Sequence, residues 1–228
     1  MIEVASQILY ADALLNLASG AVALLISYYA FHFNKLLENS VLRFVSFGFM
    51  MLGMGLLVEA VTRIVVTATL KTIVAPNLLL SLASAIYLFL QVASYFVFAW
   101  GYALGAYTQT KVGAAFLLAG LTKYQRLRRY YLAGFAVNLV AQLLSIVFLA
   151  FVVFQGVLVY SRSHNRLSLM VLVGFTLIFA AHLVMLASIL AVSGLLLALG
   201  SVIRFAGFAS MLVFLIRSGR VGAAREAS

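Results

Sequence analysis

The sequence predicts an all-α polytopic transmembrane helix bundle of six spans, with seven as the alternative. Three observations predict it. Of its 228 residues, 66% are hydrophobic and only 9% are charged, whereas a soluble domain carries about a quarter charged residues. The apolar residues fall into six blocks, each long enough to satisfy the roughly 20 residues that cross a bilayer. Most basic residues sit at the ends of those blocks, where Lys and Arg meet lipid headgroups.

The first span is expected at Ile8–Phe31, with Asp12 about one turn inside it. The second, Val41–Leu70, carries Glu59 and Arg63. The third, Leu78–Tyr107, follows Pro76 and Asn77; Pro76 is the one proline and suits a helix start, where its missing N–H would be unpaired anyway. The fourth is Tyr130–Tyr160, with Asn138 and Gln142 at i, i+4. The fifth, Leu167–Val192, holds His182 at its centre, and the sixth, Leu195–Ile216, holds Arg204 at its centre. Tyr10, Tyr28, Tyr29, Tyr107, Tyr130, Tyr131 and Tyr160 mark span ends, where an amphipathic ring prefers to lie. Several spans approach 30 residues and must tilt or project from the bilayer.

The intervening loops are too short to fold alone, so residues 1–228 form one membrane domain. It divides into a first three-helix half (1–110), a linker (111–129), a second half (130–218) and a short polar tail (219–228). The apolar part of the linker is too short to span. With the basic cluster Lys123–Arg129 behind it, it reads as an interfacial segment; a tilted or re-entrant piece is the alternative.

The halves resemble each other. Ser46-Phe47-Gly48-Phe49 matches Leu172-Val173-Gly174-Phe175 at an offset of 126, and Gln91–Tyr95 matches Arg204–Phe208 at an offset of 113. Asn16 and Asn138 both lie early in the first helix of their halves. Three is odd, so a second copy joined by an interfacial linker would enter the membrane inverted. Inverted repeats place transporter sites near the midplane. Basic residues tie between the two faces under this six-span reading, leaving the orientation open.

The net charge of +10 does not form one groove or helix face, which argues against a nucleic-acid partner. Cysteine is absent, which excludes disulfides and thiolate metal sites. The start, Met1-Ile2-Glu3, has no basic region, so a cleaved signal peptide is not expected. No GxxxxGK[ST] and no HExxH is present, and no span carries a lysine for a retinal Schiff base. An enzyme is therefore not expected.

Ionisable residues inside a bilayer are costly and are functional candidates by default. An intramembrane polar cluster of Glu59, Gln91, His182 and Arg204 is the leading candidate, with Asp12, Arg63, Asn138 and Gln142 as secondary polar positions. Glu59 and Arg63 stand at i, i+4 and can neutralise each other on one helix face; otherwise Glu59 faces the interior as a proton or cation site. Arg204 needs a carboxylate, carbonyls or water, and Glu59 is the expected partner. Gln91 aligns with Arg204 across the repeat. His182 is an interhelical hydrogen-bonding group or, alternatively, a haem b ligand; no other cofactor and no metal is expected. Gly101 and Gly105 form a GxxxG, which allows close helix approach within the chain or in a homodimer.

The stretch from Phe47 to Ala60, Phe-Gly-Phe-Met-Met-Leu-Gly-Met-Gly-Leu-Leu-Val-Glu-Ala, follows a short basic loop. It resembles a pattern found in uncharacterised archaeal multi-span membrane proteins. The resemblance covers span two; it implies an archaeal source and a helical membrane fold, and it transfers no functional residue. The expectations are a multi-pass protein of the cell membrane, partnered by the lipid bilayer. It would bind or translocate a small solute, ion or proton at the midplane cluster. The alternatives are a non-catalytic membrane subunit of a larger export, conjugation, respiratory or sensory complex, and a haem-b electron carrier.

Overall fold

A computed structural model describes residues 2–37, 40–68, 76–107, 133–164 and 166–226. The expected interfacial linker 111–129 lies outside the described residues. Among the described residues, six helices account for nearly everything: α1 (Ile2–Leu37), α2 (Ser40–Ala68), α3 (Pro76–Tyr107), α4 (Ala133–Ser163), α5 (Arg166–Ala191) and α6 (Gly194–Glu226). Each contains a stretch long and apolar enough to cross a membrane. The chain is an all-α, multi-pass integral membrane protein. Backbone polar groups in hydrocarbon must be paired within the segment, and helices do this. At about 1.5 Å per residue, the 36 residues of α1 outreach the bilayer core.

Consecutive helices pack side by side, and α6 returns to α1, so the six form a closed ring. Three of the seams are made by glycine. On α1 and α2, Gly20 and Gly53 face each other; a Cβ on Gly53 would come within 3.0 Å of the Gly20 carbonyl. On α5 and α6, a Cβ on Gly207 would come within 3.0 Å of the Gly174 carbonyl. The Gly101–Gly105 pair lies against Phe44 and Val41 of α2, so this GxxxG serves packing inside the chain.

Helix directions follow from the contacts. Helix α2 is antiparallel to α1, since Ser27 meets Ser46 while Asn16 meets Glu59. Helix α3 is antiparallel to α5, since Tyr95 meets His182 while Tyr102 meets Phe175. Helix α4 is also antiparallel to α5, from Gln142–His182 to Gly156–Leu172. On α1 and α6, Asp12 takes Ser201 and Asn16 takes Arg204, so these two run parallel. Helices α1, α3, α4 and α6 therefore run one way, and α2 and α5 the other. We call the end where α1 begins the amino end and the end where α6 finishes the carboxyl end.

This corrects the inverted repeat expected from the sequence. Inversion required α4 to start at the end of the ring where α3 stops; instead the two lie at opposite ends. The halves have the same sense, and the axis relating them runs along the helices, as in parallel repeats. The sequence alignment itself survives. Its offsets carry Gly48 to Gly174 and Phe98 to Met211, and Gly48 packs on Phe98 as Gly174 packs on Met211. They also carry Phe49 to Phe175, and these two rings meet in the ring interior with centroids 6.1 Å apart.

The interior is filled unevenly. Toward the carboxyl end, Phe49, Phe98, Phe175 and Phe208 meet in tilted and edge-to-face pairs with centroids 4.8–6.1 Å apart, an arrangement that adds about 0.5–1.5 kcal/mol per pair beyond burial. Toward the amino end the interior is polar. Among the described basic residues, Lys35, Arg43, Arg162, Arg166 and Arg217 all lie at the carboxyl end, and Arg63 lies toward the amino end. The α5–α6 connection is tight. Val192 has a positive φ of 50° while the Ser193 N–H donates to the Ser188 carbonyl, which closes α5 and leaves Val192 exposed.

Single cysteines test the directions in this naturally cysteine-free chain. Lys35→Cys and Ser163→Cys should react with an impermeant maleimide from the same membrane face, and Val192→Cys from the opposite face. Labelling of Lys35→Cys and Ser163→Cys from opposite faces would restore the inverted arrangement.

Candidate functional site

Local sequence puts the polar groups on inward faces. On α1, Asp12 and Asn16 stand at i, i+4; on α2, Glu59 and Arg63 do the same; on α3, Tyr87, Gln91 and Tyr95 repeat every fourth residue; on α6, Ser201 and Arg204 stand at i, i+3. Each set shares one helix face. All of these residues are buried except Arg63, whose side chain keeps 25% of its exposure.

The groups meet inside the ring toward its amino end. Arg63 spans both acids, with Nη1 2.7 Å from Asp12 Oδ2 and Nη2 2.5 Å from Glu59 Oε1. Ser201 donates to the other Asp12 oxygen, Oδ1, at 2.5 Å. The Asn16 amide donates weakly to both Asp12 Oδ2 at 3.4 Å and Glu59 Oε2 at 3.5 Å. Its carbonyl oxygen accepts from Arg204 Nη2. Arg204 Nη1 donates to the Tyr87 hydroxyl at 2.5 Å. One network thus joins α1, α2, α3 and α6 across the α1–α6 seam between the halves.

The charges cancel: two carboxylates face two guanidinium groups. That balance is what makes the burial tolerable, because an unmatched ion in low dielectric costs several kcal/mol. The direct ion pairs belong to Arg63. The expected Glu59–Arg204 pair does not form; Asn16 stands between them, its amide toward Glu59 and its carbonyl on Arg204. Arg204 is 2% exposed and its bonds go to neutral oxygens.

A second network lies deeper. Gln142 on α4 presents its Oε1 to His182 Nδ1 at 2.6 Å, so Nδ1 carries the proton. The Tyr95 hydroxyl lies 2.7 Å from Nε2 and donates to it. Both ring nitrogens are engaged, and an iron at Nε2 would have to displace Tyr95. Gln91 donates through Nε2 to Ser145 at 2.9 Å, and Ser145 donates to the Ala141 carbonyl at 2.7 Å. Among the described residues, no three His, Asp or Glu side chains converge in the manner of a metal site.

The structure therefore brings Glu59, Arg63, Asp12 and Arg204 into one network and Gln142 and His182 into another, with Gln91 between them in depth. Asn138 is half-buried and joins neither. Sequence reasoning missed Asn16, Tyr87, Tyr95 and Ser201 as site residues. Their signal was the i, i+3 and i, i+4 spacing from residues already singled out. Comparison with protein-family models, curated proteins and solved structures finds no match, so the chemistry rests on these side chains.

Removing one partner should cost more than removing both. Asp12→Ala strands Arg63 and Ser201 and should destabilise the detergent-solubilised protein by about 3 kcal/mol. In the Asp12→Ala, Arg63→Met double variant the loss should be smaller than the sum of the two single losses. Additive losses in thermal unfolding would show that the pair is not coupled.

Proposed function

We propose that this membrane protein is a non-enzymatic carrier that binds a small solute, ion or proton inside the helix ring and passes it across the cell membrane. The observation that supports this reading is the place of Arg204. A buried guanidinium from the second half reaches across the seam to neutral oxygens of the first half, in one network with an acid pair held by a partly exposed Arg63. Polar groups used only to glue two helices need not assemble four charges from three helices in one interior. A site shared between two repeats that can rock against each other is the arrangement alternating access requires.

The ring interior supports a direction as well. The polar network lies toward the amino end, beside the partly exposed Arg63, while the four phenylalanines fill the carboxyl half. In this reading the aromatic layer is the barrier on the carboxyl side of the ring. Passage requires Phe49 and Phe175, the equivalent residues of the two halves, to part.

Reconstituted vesicles test the reading. Wild-type protein should dissipate a gradient within a panel of protons, alkali ions and small organic solutes. Arg204→Gln and Glu59→Gln should each reduce that flux to the level of empty vesicles while the protein still inserts. Undiminished flux through both variants would sink the proposal.

A further inference from the structure

The two acids beside Arg63 are not held alike. Asp12 has a short bond to each oxygen: Arg63 donates to Oδ2 at 2.7 Å and Ser201 to Oδ1 at 2.5 Å. Glu59 has one such bond, from Arg63 to Oε1 at 2.5 Å. Its other oxygen, Oε2, has only the Asn16 amide at 3.5 Å, beyond the ordinary range of an N–H···O bond. Glu59 Oε2 is therefore the open acceptor of the charged network.

What can add to that oxygen is limited by its neighbours. The groups that meet the Glu59 carboxylate, Asn16 Nδ2 and the Arg63 guanidinium, are donors. Donors do not ligate a metal cation. The Asn16 amide is fixed in this orientation, because its oxygen accepts from Arg204 Nη2. A proton bonds to the oxygen itself and needs neither further ligands nor a cavity.

Position supplies access. The apolar stretch of α2 ends at Ala68, and Arg63 lies five residues short of it, about 7 Å along the helix. An arginine at that depth can carry its head to the interface. The Arg63 side chain keeps 25% of its exposure and that of Glu59 keeps 4%, so Glu59 lies just behind the partly exposed cation.

The charge balance gives the proton a consequence. The charged and titratable groups that act on Glu59 are Asp12 on α1, Arg63 on its own helix, Tyr87 on α3 and Arg204 on α6. With Glu59 ionised, two acids match two guanidinium groups. With Glu59 neutral, Asp12 alone faces both, and one positive charge is left over in low dielectric. Arg204 is buried in mid-span, so Arg63 is the cation that can take the surplus to water.

We propose that Glu59 Oε2 is a proton-binding site and that its proton releases the Arg63 clasp at the amino end of the ring. This rests on the carrier reading and names the proton as the ion carried. The proton comes from the solution at the amino end and forms one O–H bond; no other covalent bond is made or broken. Neutral Glu59 no longer holds Arg63 as an ion pair, and its new O–H takes the place of the acceptor that faced the Asn16 amide. Asn16 is also the link to Arg204, so the same proton loosens the α1–α6 seam.

The full chain in lipid vesicles tests site, release and flux separately. On acidification, infrared difference spectra should gain the carbonyl band of a protonated carboxyl group. Glu59→Gln should remove that band and Asp12→Asn should leave it. A band that follows Asp12 instead, or no band at all, would overturn the site. Val66 is buried on α2 about one turn nearer the amino end than Arg63. At one fixed pH, Val66→Cys should react faster with an impermeant maleimide when Glu59→Gln mimics the neutral acid. Equal rates would overturn the release. Wild-type vesicles should dissipate a pH gradient, rubidium should not pass, and Glu59→Gln should bring proton flux down to that of empty vesicles. Monodisperse elution and unchanged helix content of each variant separate these losses from misfolding. Rubidium or solute flux without proton flux would overturn the proton assignment and leave the carrier reading standing. Transport of no member of the panel would overturn both.

Discussion

An ionised side chain inside a bilayer has to be matched by charge and by hydrogen bonds, and the arrangement of this molecule follows from meeting that demand for Arg204. Its guanidinium sits about ten residues into α6, too far from either end to reach water. Both carboxylates that balance it belong to the first half of the chain, on α1 and α2. Neutrality therefore requires the second half to close against the first. The α1–α6 seam is where this happens, through Asp12–Ser201 and Asn16–Arg204. Lipid tails are as apolar as leucine, so burial of apolar surface does little to hold membrane helices together. Close glycine contacts and this polar seam take its place.

The same demand explains why Asn16, rather than Glu59, touches Arg204. A carboxylate has only acceptors, and Glu59 is already held by Arg63. An amide has both donors and an acceptor, so Asn16 can face an acid on one side and a cation on the other. Inserting it between Glu59 and Arg204 spreads one positive and one negative charge over a longer network without leaving either unpaired. The Arg204 Nε stays without a partner among the described residues.

The two halves share their packing and differ in their chemistry. Gly48 on Phe98 and Gly174 on Met211 are the same contact made twice, as are the positions of Phe49 and Phe175. The polar groups break the symmetry. Gln91 aligns with Arg204, so one half contributes an amide where the other contributes a cation. Glu59 aligns with Met185, a buried apolar residue. The scaffolding is duplicated and the polar groups are not, so the charged network forms at the α1–α6 seam alone among the described residues.

The sequence alone determined the membrane, the helices and most of the polar inventory. A continuous apolar run of about 20 residues in hydrocarbon pairs its own backbone as a helix, and the six spans read from composition match the six described helices to within a few residues. Gln91, Arg204, Glu59 and His182 were legible because a polar residue in such a span is conspicuous. Asn16, Tyr87 and Ser201 were less so, because Asn, Tyr and Ser are cheap enough in a membrane to pass for glue. The weak repeat was legible too, since glycine and aromatic spacing survives in one dimension. Its sense was not. Whether the second copy enters upright or inverted depends on which end of the ring α4 starts from, and no local preference encodes that; the contacts of α3 with α5 and of α1 with α6 do. Partners across space were likewise decided only in three dimensions. The i+4 rule found Glu59–Arg63, but Asp12–Ser201 and Asn16–Arg204 join residues nearly two hundred positions apart, and only closure of the ring brings them within reach.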